Sequence, residues 1–81
     1  MPTVNLGADK LTDGAINIMD LLVAADIVPS KSEARRLITQ GGLCIDDEKV
    51  TDLGYAVTGA MLEGGIKVRK GKKAFYKVLL G

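Results

Sequence analysis

Residues 30–42 constrain the fold most strongly, because they carry signals for both ends of a short helix. Ser30 is a good N-cap, since its hydroxyl can accept a hydrogen bond from an otherwise unpaired backbone N–H. Glu33 occupies the position from which a capping box is completed. Gly41 and Gly42 follow, and glycine readily adopts the left-handed backbone that ends a helix. The sequence therefore predicts one helix between these signals.

The side chains of this helix separate into two faces when they are spaced at about 100° per residue. Its apolar face consists of Ala34, Leu37 and Ile38. Its polar face carries cations, hydroxyls and an amide, on Lys31, Ser32, Arg35, Arg36, Thr39 and Gln40. Such a face is either a solvated surface, as most charged faces are, or a phosphate-binding surface, because arginine offers forked donors that match phosphate oxygens. The helix alone leaves both interpretations open.

The distribution of charge favours an anion-binding side. The net charge of the 81 residues is only +1, but residues 66–81 hold six cations and no acid. Residues 1–29 hold four acids and a single cation, Lys10. This asymmetry is expected of a domain with one basic surface. The chain is long enough for one domain with a thin core.

The sequence offers no transmembrane or secretory signal. No apolar run approaches the length that spans a bilayer, and the N-terminus lacks a basic segment followed by a hydrophobic stretch. The single cysteine, Cys44, cannot form an internal disulfide and is expected to be a small buried side chain in a reducing compartment. We therefore expect a cytoplasmic protein without a membrane partner.

Two further kinds of pattern predict the remaining elements. Apolar spacing predicts a helix over residues 15–25, with Asp13 as a cap near its start. After Gly42 the apolar period becomes two, which predicts a hairpin whose turn is Asp46-Asp47. A second hairpin is predicted from strands 66–69 and 75–79, which residues 70–73 link. On its returning strand, either Phe75 or Tyr76 faces the core.

These elements predict an α+β fold in which two packed helices lie against a small, mostly antiparallel sheet. Residues 15–81 are expected to form this domain, and residues 1–14 to be a linker or an edge strand. Residues 51–65 are expected to form a loop or a short helical turn.

Catalytic chemistry is not apparent. The chain has no histidine, which removes the commonest general base and metal ligand, and one cysteine excludes cysteine-rich zinc sites. No glycine-rich phosphate loop of standard spacing occurs. Residues 46–48 are three adjacent acids, which a solvated turn explains better than a cation site. We expect no catalytic residue and no metal site, and the chain is not expected to be an enzyme by itself.

A basic surface remains, and it indicates RNA. Cations recur on two separate elements, the predicted helix and the loop of the second hairpin. The candidate RNA-binding residues are Lys31, Ser32, Arg35, Arg36, Gln40, Lys70, Lys72 and Lys73. The loop lysines have an alternative role, which is to keep an exposed hairpin soluble and unpaired. Because aromatic residues are few, recognition is expected to depend mainly on phosphates, 2′-hydroxyls and shape.

Several stretches resemble the S-four RNA-binding domain, also called the alpha-L RNA-binding motif. They are residues 29–38, residues 40–43, Ile45 and residues 49–52, so that the motif covers about residues 16–52. The whole chain is similar to the C-terminal domain of bacterial tyrosyl-tRNA synthetases. That wider similarity includes residues 2–4, 18–22 and 65–73, together with Phe75-Tyr76.

This resemblance implies a module that grips tRNA(Tyr), including the region of its long variable arm. A separate, absent catalytic domain binds ATP and tyrosine and carries out aminoacylation. The resemblance implies no cofactor in this chain. We expect the isolated domain to be a monomer, and the resemblance implies that the full-length ligase is a homodimer that forms through its catalytic domain. One departure is that the family often has Asn-Gly where this chain has Asp46-Asp47, so we expect the turn to differ in type or to lie away from the RNA.

Three alternatives accompany this interpretation. Two of them also bind RNA: a stand-alone S-four protein that binds ribosomal RNA, and the accessory domain of a pseudouridine synthase. A protein-interaction domain whose basic loop meets an acidic partner is the alternative from a different class.

Overall fold

The structure is a computed structural model that describes residues 2–72 and 74–81. Seven strands are present in this part of the chain: β1 (Thr3–Leu6), β2 (Ala15–Asn17), β3 (Leu43–Ile45), β4 (Glu48–Lys49), β5 (Ala56–Thr58), β6 (Ile66–Lys70) and β7 (Ala74–Leu80). Its α-helices are α1 (Ile18–Ala24), α2 (Lys31–Thr39) and α3 (Gly59–Gly64), and one turn of 3₁₀ helix spans Ala8–Lys10. The predicted α+β class is confirmed.

Five strands form one sheet in the order β1-β7-β6-β3-β4, and β2 and β5 form a second, two-stranded sheet. Within the larger sheet β1 runs parallel to β7 and the other pairings are antiparallel, as the sequence predicts for most of the sheet. Residues 1–14 were expected to be a linker or an edge strand, and they contain β1, which lies at the edge of this sheet. Both predicted hairpins are present, as β3–β4 and β6–β7.

The core lies between one face of the five-stranded sheet and the helices. Ile66, Val68 and Val78 point into it from β6 and β7, and they pack in one cluster with the apolar residues of α1 and α2. Ala34 and Ile38 of α2 are fully buried, whereas Leu37 is half-buried at the margin. In β7 the alternation turns Tyr76 towards the core and leaves Phe75 exposed.

The predicted start of α1 is wrong by three residues. Residues 15–17 pair with β5 as β2, and the helix begins at Ile18. Asn17 is the N-cap, since its side-chain oxygen accepts a hydrogen bond from Met19 N at 2.9 Å. The same side chain donates to the Leu53 carbonyl at 3.0 Å. Asp13 is no cap, because it lies in the preceding turn with a φ of 53°.

The ends of α2 are those predicted. The Ser30 hydroxyl accepts from Glu33 N at 3.4 Å. At the other end, Gly42 N donates to the Leu37 carbonyl at 2.9 Å and Gly41 N donates to the Ile38 carbonyl at 3.0 Å. This pair of bonds is the Schellman motif, which requires a left-handed residue, and Gly41 supplies it with a φ of 72°.

Residues 51–65 contain more regular structure than a loop or one helical turn. They form β5 and the six-residue helix α3, for which Thr58 is the N-cap. The strand went unpredicted because three residues are too few to show a period, and its partner β2 lies about forty residues earlier in the chain.

The Asp46-Asp47 turn has φ values of the sign that an Asn-Gly turn adopts. Both residues have positive φ, at 50° and 70°, as the two central residues of a type I′ hairpin require. Contacts with β6 compensate for the unfavourable conformation: Asp46 N donates to the Lys67 carbonyl at 2.8 Å, and Lys67 N donates to Asp46 Oδ1 at 3.0 Å.

In the described residues, no helix has the length and apolar content needed to cross a bilayer.

Candidate nucleic-acid interface

The exposed face of α2 carries five of the predicted RNA-binding residues. All five are exposed: Lys31, Ser32, Arg35, Arg36 and Gln40. They face solvent because Ala34 and Ile38 orient the opposite side of the helix into the core. The face extends about 13 Å from Lys31 to Gln40, at 1.5 Å per residue.

The cations on this face differ in how far they are neutralised. Lys31 Nζ lies 2.8 Å from Asp20 Oδ1 of α1, and Arg36 Nη1 lies 4.0 Å from Glu33 Oε1. For Arg35, no carboxylate of the described residues lies within salt-bridge distance. Arg35 therefore has the least compensated charge on α2, and Lys31 has the most closely paired one.

Lys70 is not a free loop cation. It is the last residue of β6 and is half-buried, and its Nζ donates to the Ile27 carbonyl at 3.2 Å. It lines a small cavity of about 110 Å³ beside Arg36 and Gln40. Lys70 therefore lies beside the polar face of α2 and does not extend from the hairpin tip.

The tip of the β6–β7 hairpin contributes Lys72, which is exposed. The predicted site residue Lys73 lies outside the described residues. Gly71 has a φ of 68°, and its N–H donates to the Gly42 carbonyl at 2.7 Å. This bond fastens the hairpin tip to the C-terminal end of α2, so the two basic elements of the sequence are neighbours.

A larger cavity of about 520 Å³ lies at this junction. Its charged lining consists of Lys49, Arg69, Lys72 and Asp47, and Gln40 borders it from α2. Asp47 is already paired, since Lys67 Nζ lies 2.8 Å from its Oδ1. Three cations therefore surround an open cavity whose one acid is neutralised by a residue outside the lining.

Lys49 and Arg69 are members of this site that the sequence did not identify. The alternation along β6 turns Arg69 away from the core, opposite to Val68. What brings Lys49 beside it is register, because Cys44 of β3 pairs with Lys49 on one side and with Arg69 on the other. Cys44 itself is buried, as predicted.

The ion pair with Lys67 lowers the pKa of Asp47 below the usual value for an aspartate, first through the hydrogen bond and then through the charge of Lys67. The lowered pKa favours the ionised carboxylate, which holds the Lys67 ammonium at the β3–β4 turn. The acids of this turn are thus engaged with the sheet.

Among the described residues, no group of three or more aspartate, glutamate or cysteine side chains is arranged to hold a metal ion. The arrangement that is present can bind anions. Guanidinium and ammonium groups at the end of α2 and around the cavity can donate hydrogen bonds to several phosphate oxygens at once.

Comparisons with known proteins find relatives over almost the whole chain. Residues 1–78 match the family model described as tyrosine–tRNA ligase SYY-like C-terminal domain. The chain is 49% identical over 81 residues to a tyrosine–tRNA ligase of Clostridium tetani (strain Massachusetts / E88), covering 99% of this chain and 19% of that protein. It is 47% identical over 81 residues to the tyrosine–tRNA ligase of Clostridium botulinum (strain Loch Maree / Type A3), with the same coverage. To tyrosine–tRNA ligase 1 of Clostridium acetobutylicum it is 42% identical over 83 residues, covering 100% of this chain and 20% of that protein. The chain thus spans about a fifth of the length of these curated relatives.

Proposed function

Since the chain belongs to the family of tyrosine–tRNA ligase SYY-like C-terminal domains, we propose that it is an RNA-binding module that grips tRNA(Tyr) for aminoacylation. The reaction itself takes place in a separate catalytic domain, which binds ATP and tyrosine. The parent protein is then a tyrosine–tRNA ligase that works in the cytoplasm and dimerises through its catalytic domain. The isolated module is a monomer.

The observation that carries this proposal is the bond from Gly71 N to the Gly42 carbonyl. It joins the hairpin tip to the end of α2, so that Arg35, Arg36 and Lys72 belong to one surface. A phosphate backbone is a regular series of charges, and a continuous cationic surface can neutralise several of them. Separate basic patches on opposite sides of a small domain would not have this effect.

Because the cations of α2 are paired with carboxylates to different extents, replacing them one at a time tests the proposal. Arg35→Ala should weaken binding to a tRNA(Tyr) transcript roughly 10- to 150-fold, because one charge-assisted hydrogen bond contributes about 1.5–3 kcal/mol. It should also make the slope of log K against log salt shallower by about one. Lys31→Ala, on the same helix, should have a smaller effect because Lys31 already pairs with Asp20.

Lys10→Ala is the matched control, since Lys10 is an exposed cation on the 3₁₀ helix, outside the proposed surface. Circular dichroism should show all three variants folded, because none of these side chains is buried. Equal losses for Arg35→Ala and Lys10→Ala would mean that only net charge matters and would contradict the proposed surface. Complete absence of RNA binding by the unsubstituted chain would favour a protein partner instead.

A further inference from the structure

The face of the five-stranded sheet opposite the core carries a row of side chains that has no part in the α2 surface. Register pairs Phe75 with Arg69, Arg69 with Cys44, and Cys44 with Lys49. Directly paired residues lie on the same face of a sheet, so these four side chains form a line across β7, β6, β3 and β4. Neighbouring strands are about 4.8 Å apart, and the line is roughly 14 Å long.

The ring at one end of this row is exposed. Phe75 has 38% of its surface accessible, and it is the one large apolar side chain among the described residues that is classed as exposed. It takes no part in the hydrophobic cluster that holds the protein together, whereas its neighbour Tyr76 packs against that cluster. Core packing therefore does not account for an aromatic residue at position 75.

Cations surround this ring and are only partly compensated. Lys67 and Lys77 are directly paired across β6 and β7, an arrangement that like charges make unfavourable. Asp47 neutralises Lys67, but no carboxylate of the described residues lies within salt-bridge distance of Lys77. The guanidinium of Arg69 donates to Cys44 Sγ at 3.0 Å, and its buried Nε finds no partner in the described part of the chain.

We propose that this sheet face binds an unpaired nucleotide of the RNA, whose base stacks on Phe75 while its flanking phosphates contact Arg69 and Lys77. The inference rests on the proposed function and adds a single-stranded contact to it. Lys49 and Arg69 also line the cavity next to Gln40, so one RNA can pass from α2 across the cavity to the sheet.

The chemistry of the face selects this occupant. An apolar protein partner would leave Arg69 and Lys77 without compensation on burial, whereas a nucleotide supplies an aromatic plane and an anion together. Bases inside an RNA helix are stacked on each other and cannot offer a face to Phe75. The nucleotide must therefore come from a loop, a bulge or an end.

Phe75→Trp provides a direct probe, because the chain has no native tryptophan. Titration with single-stranded oligouridylate should quench the new fluorescence to saturation. An abasic strand of the same length should leave it nearly unchanged. Ala60→Trp is the matched control, because Ala60 is exposed on α3, two residues from the buried Leu62. The fluorescence of a tryptophan at position 60 should respond to neither strand.

Affinity supplies the second measurement. Phe75→Ala should weaken binding of the oligouridylate roughly 5- to 100-fold, the usual range for one base stacked on an aromatic side chain. The variant should keep its affinity for a blunt RNA duplex and its circular dichroism spectrum, and Phe75→Trp should restore binding of the single strand.

Two results would overturn the inference while leaving the proposed function intact. One is unchanged oligouridylate and tRNA(Tyr) affinity in Phe75→Ala, and the other is equal quenching of Phe75→Trp by the abasic strand. Either would show that no base of the RNA stacks on Phe75. Failure of the unsubstituted chain to bind any RNA would remove both proposals together.

Discussion

At the residue scale, four aspartates hold backbone conformations that usually require glycine. Their φ values are positive: Asp13, Asp26, Asp46 and Asp47. Aspartate tolerates this region better than most residues because its short side chain can bond locally, but the conformation still has a cost. In Asp46 and Asp47 the side chains bond to Lys67 of β6. The described contacts give Asp26 no such partner.

Asp26 should therefore be a place where the protein can be stabilised. It lies just after α1, where Ile27 N donates to the Leu22 carbonyl at 2.9 Å and a left-handed residue is needed between them. Asp26→Asn keeps the favourable shape and removes a negative charge from the helix C-terminus, which should add about 0.3–1 kcal/mol to the free energy of unfolding. Urea unfolding measures the change.

Asp26→Ala is the informative comparison for this position. Alanine removes the same charge but tolerates positive φ poorly, so its free energy of unfolding should fall below that of Asp26→Asn. Equal stability of the two variants would show that charge alone determines the effect at position 26.

Asp47 leads to a pH prediction. Its pKa is lowered in the folded protein by Lys67, so the folded state binds the proton less readily than the unfolded state does. The pair contributes to stability above the unfolded pKa, and that contribution is lost as pH falls through the lower, folded pKa. NMR titration of the Asp47 carboxyl should give a midpoint below that of an unperturbed aspartate. In Lys67→Gln the midpoint should return towards normal, and an unchanged midpoint would contradict the ion pair.

At the element scale, the end of α2 has two duties, since it stops the helix and receives the hairpin tip. Gly41 stops the helix with its φ of 72°, and the carbonyl of Gly42, the next residue, receives the hairpin tip. A Cβ added at Gly41 would lie 2.6 Å from Lys49 Cε. Gly41→Ala should lower the free energy of unfolding by about 1–2 kcal/mol, the usual penalty for a left-handed residue with a Cβ.

Gly64→Ala controls for the general effect of replacing a glycine. Gly64 is the last residue of α3, and nothing lies within 4 Å of the added Cβ. That substitution should be neutral or stabilising, since alanine restricts the unfolded chain more than glycine does. A loss of equal size in both variants would contradict the special role given to position 41.

Elements with their own local signals were the ones that the sequence could predict. Ser30 and Gly41 mark α2, and the strands of the second hairpin show a clear period of two. β5 was missed because only its long-range pairing with β2 marks it as a strand. The Asn17 cap was missed because Asp13, four residues earlier, is also a suitable cap residue. The charged cavity combines both cases: α2 and the hairpin were predicted, but register alone brings Lys49 beside Arg69. The particular residues that contact RNA stay a prediction.

At the scale of the whole molecule, cations cluster on the exposed face of α2, at the hairpin tip and around the cavity between them, although the net charge is +1. Three acids, Asp20, Glu33 and Asp47, pair with cations of α2 and β6, so the charges of these carboxylates are already compensated. Binding of RNA by such a surface is driven largely by release of counterions, and its dependence on salt reports how many phosphates are neutralised.

The most direct test of the account is a salt titration of this chain with tRNA(Tyr), beside a tRNA that has a short variable arm. Neutralisation of three phosphates would give a slope of log K against log salt of about −2 to −3. We predict at least this slope, together with tighter binding of tRNA(Tyr) than of the short-arm tRNA. A flat salt dependence, or equal weak binding of both tRNAs, would contradict the claim that this domain grips tRNA(Tyr) through its basic surface.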